Sequence, residues 1–411
     1  MKKTTVFILA TICLAGVSCR GVDAEICKYH QGREAAVSLT FDDGLIDRYT
    51  LVAAELNHLG MQGTSGVDSV FMGQDGSRLT WDMCSDSTYG SMSRWLRKVI
   101  DGGEWGVMMT HGILIGQGQK EGESELKRFY RELSGKRDSV WVDVFAHVAS
   151  YITERDHCTI SVKKSGRTLS ITPSCTLDTS LYRQPLTARV KIGEDVLYLD
   201  FDPFGGTQTY DLSDPLLGRT LNIIGDSYVR NHLEPMQYTW HYKAAARHSM
   251  VYNNYGINGS SIAFDRSDRG FGVSMLDRFT RMSHEADYIL VVAGHNDAGY
   301  ITEHPDSTDV LMERLDLFCR GLKEQYPGAK LGFVTPWAVD RPNFPEVIAA
   351  IHNTCDKYGI KVLDAAVTGG IKVNDPDFRK RYFQRQNDTA HLNAAGHDLL
   401  VDWGDAFLRS L

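Results

Sequence analysis

The sequence predicts an α/β protein in three parts, and three patterns predict it. From Arg219 onward, short apolar runs alternate with helical stretches. Over residues 158–202 the apolar residues instead alternate one by one. Ahead of that, two buried-type runs, 35–41 (AAVSLTF) and 105–110 (WGVMMT), each stop at residues able to do chemistry. Strand–helix repetition favours a parallel sheet with helices on both faces, whereas period-two alternation with short turns marks antiparallel strands. A chain of 411 residues is also too long for one ordinary core.

Taken in order, Lys2 and Lys3 precede an apolar run from Val6 to Val17, shorter than the ~20 residues that cross a bilayer. That is the form of a secretory signal, assigned to residues 1–24. Two processing readings stay open. One is cleavage after Val22-Asp23-Ala24, leaving Glu25 first; the other is lipidation of Cys19, with Gly16 standing where such signals usually carry leucine. Either way the chain is expected to be exported: periplasmic, at the cell surface or secreted.

Residues 25–156 read as a first α/β unit. Its strand 35–41 is followed by a helix from Tyr49 to Leu59, which Gly60 would stop, and by a poorly patterned stretch, 61–90. A helix near 92–100, the strand 105–110 and helices at 123–134 and 143–154 complete it. Residues 157–216 read as a small β unit (TISVKK, RTLSIT, LTARVKI, DVLYLDF) and a linker rich in Pro and Gly. In residues 217–411, strands are expected at 220–225, 249–254, 287–293, 330–335 and 361–364, with a last helix over 394–408.

Composition narrows the function. Lys and Arg number 44 against 52 Asp and Glu, a formal charge of −8, which cannot neutralise phosphates over a broad face and argues against a nucleic-acid partner. Of eight cysteines, Cys27, Cys84, Cys158, Cys175, Cys319 and Cys355 fall in the body. Cys158 and Cys175 flank a strand–turn–strand pattern and could pair; six separate buried thiols are the alternative. With no Cys-x-x-Cys pair, no structural zinc is expected.

The chemistry gathers at the ends of the C-terminal strands, where reactive loops of parallel sheets sit. Gly225-Asp226-Ser227-Tyr228 puts a serine on a turn from strand to helix. A serine hydroxyl is a weak nucleophile and needs a histidine base oriented by a carboxylate. Asp388-Thr389-Ala390-His391 supplies both. The oxyanion needs fixed donors: the Ser227 amide, the amide of Gly259 in Gly256-Ile257-Asn258-Gly259, and the side chain of Asn296 in Gly294-His295-Asn296-Asp297. His295 is either a substrate contact or structural, and Pro336-Trp337 either a sugar-stacking wall or packing.

These four blocks, in this order, resemble the SGNH hydrolase superfamily of GDSL-type esterases, over about residues 217–411. Its Ser, Gly, Asn and His match Ser227, Gly259, Asn296 and His391, and its Asp matches Asp388. Tyr228 departs from the usual leucine at a position that starts the helix. The resemblance implies a flavodoxin-like three-layer α/β/α domain and hydrolysis of esters without metal or other cofactor.

Thr40-Phe41-Asp42-Asp43-Gly44, THGI (110–113) and WVDVFAHVASYITER (141–155) resemble the polysaccharide deacetylases. That implies a partial α/β barrel, with a base role on Asp42, a metal role on Asp43 and a leaving-group role on His111. The family's His-x-x-x-His motif is missing: only His58 lies between Asp43 and His111. One aspartate cannot coordinate a catalytic metal, so no bound metal and a degenerate domain are expected. The whole then reads as an exported serine esterase acting on acylated polysaccharide. The alternatives are a lipid or thioester hydrolase of the same superfamily, and a non-catalytic glycan-binding surface protein.

Overall fold

The computed structural model describes residues 22–41, 55–56, 59, 61–65, 80–83, 88–110, 125–269, 271–339 and 341–411. The apolar leader, Cys19, Asp42, Asp43, His58, Gly60, Cys84 and His111 lie outside the described residues, as does most of the helix expected at 49–59.

In the first unit, β2 (Ala35–Phe41) is the buried strand its composition demands. It pairs in parallel with β5 (Trp105–Thr110), β6 (Val140–Val142) and the two-residue β3 (Thr64–Ser65), while β4 (Thr80–Met83) pairs with β5. β2 and β5 end side by side, Phe41 opposite Thr110. Helix α1 (Tyr89–Gly102) starts where the Thr88 side chain accepts the Ser91 N–H and stops at Gly103, φ 58°. With α2 (Glu125–Ser134) it packs on one face of this sheet, around Met92, Leu96, Phe129 and Leu133. Helix α3 (Phe145–His157) packs on the other. Among the described residues this is a parallel sheet between helices; the deacetylase-type barrel remains a likeness of sequence.

The β unit is built from two stretches of chain. Sheet one has the order β1–β9–β10 and sheet two the order β11–β8–β7. β7 (Cys158–Ser165) and β8 (Thr168–Cys175) meet through a two-residue turn, as do β9 (Leu186–Ile192) and β10 (Asp195–Phe201). Both pairs are antiparallel, as the alternation predicted. Two elements were not foreseen: β11 (Gln208–Asp211) lies in the stretch read as linker, and β1 (Val22–Ile26) in the stretch read as leader and domain start. Cys158 and Cys175 face each other in register, with Cα atoms 4.3 Å apart, and form a disulfide. One core joins this unit to the first: Ala36, Trp105 and Val107 pack with Ile171, Leu186 and Val190.

The C-terminal sheet is parallel throughout, in the order β13–β12–β14–β15–β16. Its strands are β12 (Thr220–Gly225), β13 (Val251–Gly256), β14 (Tyr288–Val292), β15 (Lys330–Val334) and β16 (Lys361–Leu363). Helices α4 (Ser227–Arg230), α5 (Trp240–Arg247), α6 (His295–Glu303), α7 (Thr308–Gln325), α8 (Phe344–Tyr358), α9 (Ala365–Thr368), α10 (Pro376–Tyr382), α11 (Ala394–Asp398) and α12 (Val401–Ser410) intervene and follow. A core on each face makes three layers: α7 and α8 cover one side, α5 and α12 the other. This is a doubly wound sheet of flavodoxin-like order, and its topological switch lies beside β12, the strand that leads into Ser227.

The units are bolted together. The half-buried Arg137 donates to Asn254 O (3.0 Å), Gln31 Nε2 to Met250 O (3.1 Å), and Ser283 Oγ to Asp138 (3.0 Å). His248 is clasped between Asp214, before β12, and Asp405 on α12, and Arg409 also reaches Asp214 (2.8 Å).

Candidate active site

Ser227 is placed by the end of β12 and the one-turn helix α4. Asp226 caps that helix, its Oδ1 accepting the Tyr228 N–H at 2.9 Å. The turn is tight because Gly225 has no side chain; a Cβ there would run into the Val292 carbonyl. Beneath it the buried Arg278 donates to Gly225 O (2.9 Å) and Tyr255 O (2.6 Å), fixing the ends of β12 and β13 together.

His391 comes from the far end of the chain on a loop pinched by a bridge between the buried Phe383 and Leu392. Its Nδ1 lies 2.8 Å from Asp388 Oδ2 and its Nε2 2.9 Å from Ser227 Oγ. Asp388 Oδ1 accepts the amides of Ala390 (2.8 Å) and His391 (3.0 Å). A carboxylate only accepts, so Nδ1 carries the proton and Nε2 is left to accept the serine hydroxyl. Burial acts to raise the Asp388 pKa, but the His391 ring and these amides hold it down to about 2. The structure therefore brings Ser227, His391 and Asp388 into one hydrogen-bonded chain, with the His391 ring in the middle.

Of the expected oxyanion donors, Asn296 reaches the neighbours of both Ser227 and Gly259. Asn296, second residue of α6, donates through Nδ2 to Asp226 Oδ2 (3.0 Å) and Ser260 O (3.1 Å). It ties the serine turn to the glycine turn, but both of its amide protons are already engaged, so serving an oxyanion requires one to be shared. Gly259 sits at φ 74° under the Phe271 ring, where a side chain would clash; Arg266 holds its carbonyl (2.7 Å) and lies over that same ring. Among the described residues the Ser227 and Gly259 N–H groups have no partner. Asp297 pins the segment that follows, accepting from Ile262 (3.0 Å) and Ala263 (3.1 Å). Burial pushes Asp226 up to about 7 and Asp297 to about 6, while these N–H donors favour the charged forms. Replacing Asn296 by alanine is expected to lower kcat on an aryl ester by ~10²–10³-fold with little change in KM; full kcat would leave Asn296 a purely structural tie.

His295 is buried, its Nδ1 3.3 Å from the Tyr228 hydroxyl and its carbonyl held by Arg341 (3.0 Å). Burial, with Arg341 nearby, drives its pKa down to about 3, so it is a neutral packing residue at ordinary pH. Trp337 is only 3% exposed and packs edge-on against Tyr228, which removes it as a sugar-stacking wall. His232, unmarked by any sequence motif, stacks on His391 with ring centroids 4.0 Å apart and planes 15° apart. Asp42, Asp43 and His111 lie outside the described residues.

No curated protein matches the chain. Among solved structures it is similar to a protein from Lactobacillus plantarum (24% identity, TM-score 0.40, covering 47% of this chain and 97% of that one). It is similar also to a member of the lipolytic G-D-S-L family from Veillonella parvula (16%, TM-score 0.33, covering 46% and 97%) and to an acetyl xylan esterase (16%, TM-score 0.34, covering 47% and 100%). A sequence model of the GDSL-like lipase/acylhydrolase family matches residues 223–399, so the likeness to that family lies within the C-terminal domain, on the parallel sheet and the site just described.

Proposed function

We propose that the protein is an exported serine esterase that removes acyl groups, acetyl above all, from carbohydrate. The observation that carries the hydrolase reading is the His391 ring bridging Asp388 and Ser227. In this mechanism Nε2 takes the hydroxyl proton as Ser227 Oγ attacks the ester carbonyl, and Asp388 stabilises the imidazolium. The imidazolium then protonates the departing alcohol, and water repeats the sequence on the acyl-enzyme. The Ser227 and Gly259 amides and Asn296 are the donors available to the oxyanion.

The carbohydrate reading is supported by a polar surround. Asn258, Arg266, Arg341 and Arg385 are half-buried or exposed and contact or electrostatically influence His232, Gly259 or His295, and the half-buried His232 in turn stacks on His391. Such a rim suits a hydroxylated leaving group better than a lipid. The deacetylase-like motif with Asp42, Asp43 and His111 supports it through sequence likeness, in a domain we read as degenerate.

A panel of acetylated xylan, other acetylated glycans and aryl esters of rising acyl length tests this. Activity should fall as the acyl chain lengthens and should survive chelators, because every group in the triad is carried by the protein. A preference for long acyl chains would replace the carbohydrate reading with a lipid one. A stoichiometric metal lost in Asp43→Asn would show the first unit to be a second enzyme.

A further inference from the structure

We propose that His232 is a positioning residue for the general base, its ring forming the wall that keeps His391 in line between Asp388 and Ser227. The inference rests on the serine-hydrolase reading above. Its first ground is the stack itself: the imidazoles are nearly parallel, 4.0 Å apart at 15°, so His232 covers one face of the ring that must not rotate. Among the described residues the His232 ring makes no hydrogen bond, so its contact with His391 is not incidental to some other polar role.

The second ground is the backbone. Asn231 (φ 72°) and His232 (φ 48°) are consecutive non-glycine residues in the left-handed region. Such conformations persist only where the surroundings over-determine them, and they gather at functional sites. Here the restraint is specific. Gln384 Nε2 donates to Asn231 O (3.0 Å), Gln384 Oε1 accepts the Leu233 N–H (3.3 Å), and the Gln384 N–H donates to His391 O (2.9 Å). His397 adds a bond to Asn231 Oδ1 (3.1 Å), and Asn258 Nδ2 holds the His232 carbonyl (3.3 Å). One glutamine thus fastens both the turn that carries His232 and the loop that carries His391.

The third ground is charge. Burial, then the neighbouring His391, lowers the His232 pKa; Arg385 acts in the same direction and Asp388 against it. A neutral face is what a base that becomes imidazolium requires, because a second cation stacked on it would oppose the proton transfer.

The test is His232→Asn, since asparagine accepts a left-handed backbone and removes only the ring. It should keep the wild-type melting temperature and KM for an aryl acetate but lose roughly 10- to 100-fold in kcat, the scale of a misplaced catalytic group. The rate of fluorophosphonate labelling should fall in step. His232→Phe, which restores a flat face, should recover most of both. Wild-type kcat in the asparagine variant, or a phenylalanine variant no better than it at a temperature where both are folded, would overturn the proposal. Ser227→Ala run in parallel separates the two readings: if wild type shows no Ser227-dependent labelling, the hydrolase reading has failed. If wild type and His232→Asn label equally fast, only the role of His232 has failed.

Discussion

Ser227→Ala is expected to lower kcat/KM for ester cleavage by about 10⁴-fold or more, leaving only what binding and the oxyanion donors supply. Fluorophosphonate should modify the wild-type protein on the peptide that contains Ser227 and should leave the alanine variant untouched. The fold should not notice the change. Ser227 Oγ is bonded to His391 Nε2, and the His391 side chain keeps 18% of its surface exposed, so water can replace the lost partner. The turn is held by Asp226, Arg278 and Asn296 instead. Labelling that persisted in the alanine variant would move the nucleophile elsewhere.

Asp388→Asn is expected to cost kcat about 10⁴-fold, because an asparagine cannot satisfy both sides of this carboxylate. Oδ2 accepts from the His391 ring, while Oδ1 accepts from two backbone amides. If the amide oxygen faces the backbone, its NH₂ confronts Nδ1, the ring changes tautomer, and Nε2 can no longer accept the serine proton. If it is turned round, the NH₂ confronts two N–H donors and the loop opens. An Asp388→Asn enzyme of full activity would remove the orienting acid from the mechanism. Stability should report the same charge. With the folded pKa held to about 2, below an unfolded value of about 4, the ionised side chain stabilises the fold fully above pH ~4 and progressively less as pH falls through 2. The melting-temperature gap between wild type and Asp388→Asn should be flat down to about pH 4 and close below it. A gap that did not change with pH would mean that Asp388 is not charged in the folded protein.

The C-terminal sheet was legible because its strands are buried on both faces and so read as unbroken apolar runs: Tyr288–Val292 has no exposed position. The second strand was expected at 249–254 and runs Val251–Gly256, because Ser249 turns at φ 47° and its hydroxyl accepts the Asp200 N–H. β11 escaped because Gln208–Asp211 is polar and becomes a strand only through its register with β8. That Ser227, Asp388 and His391 meet could be expected because each sits beside a strand end or in a compact motif. His232 could not, since its position depends on a left-handed turn and on a glutamine 152 residues further along the sequence. The Asn296 block could be found, but not that its amide already joins two turns.

The bolt through Arg137 has a consequence for solubility. β13 is an outer strand of the C-terminal sheet, and an outer strand offers bare carbonyl and amide groups to any other extended chain. Here the carbonyl of Asn254 is taken by Arg137, and that of Met250, just before the strand, by Gln31. A half-buried guanidinium on this rim is what a visiting strand would have to displace, and it cannot continue a ladder. By occupying these two carbonyls, the first unit leaves this rim of the sheet fewer free acceptors for a neighbouring chain.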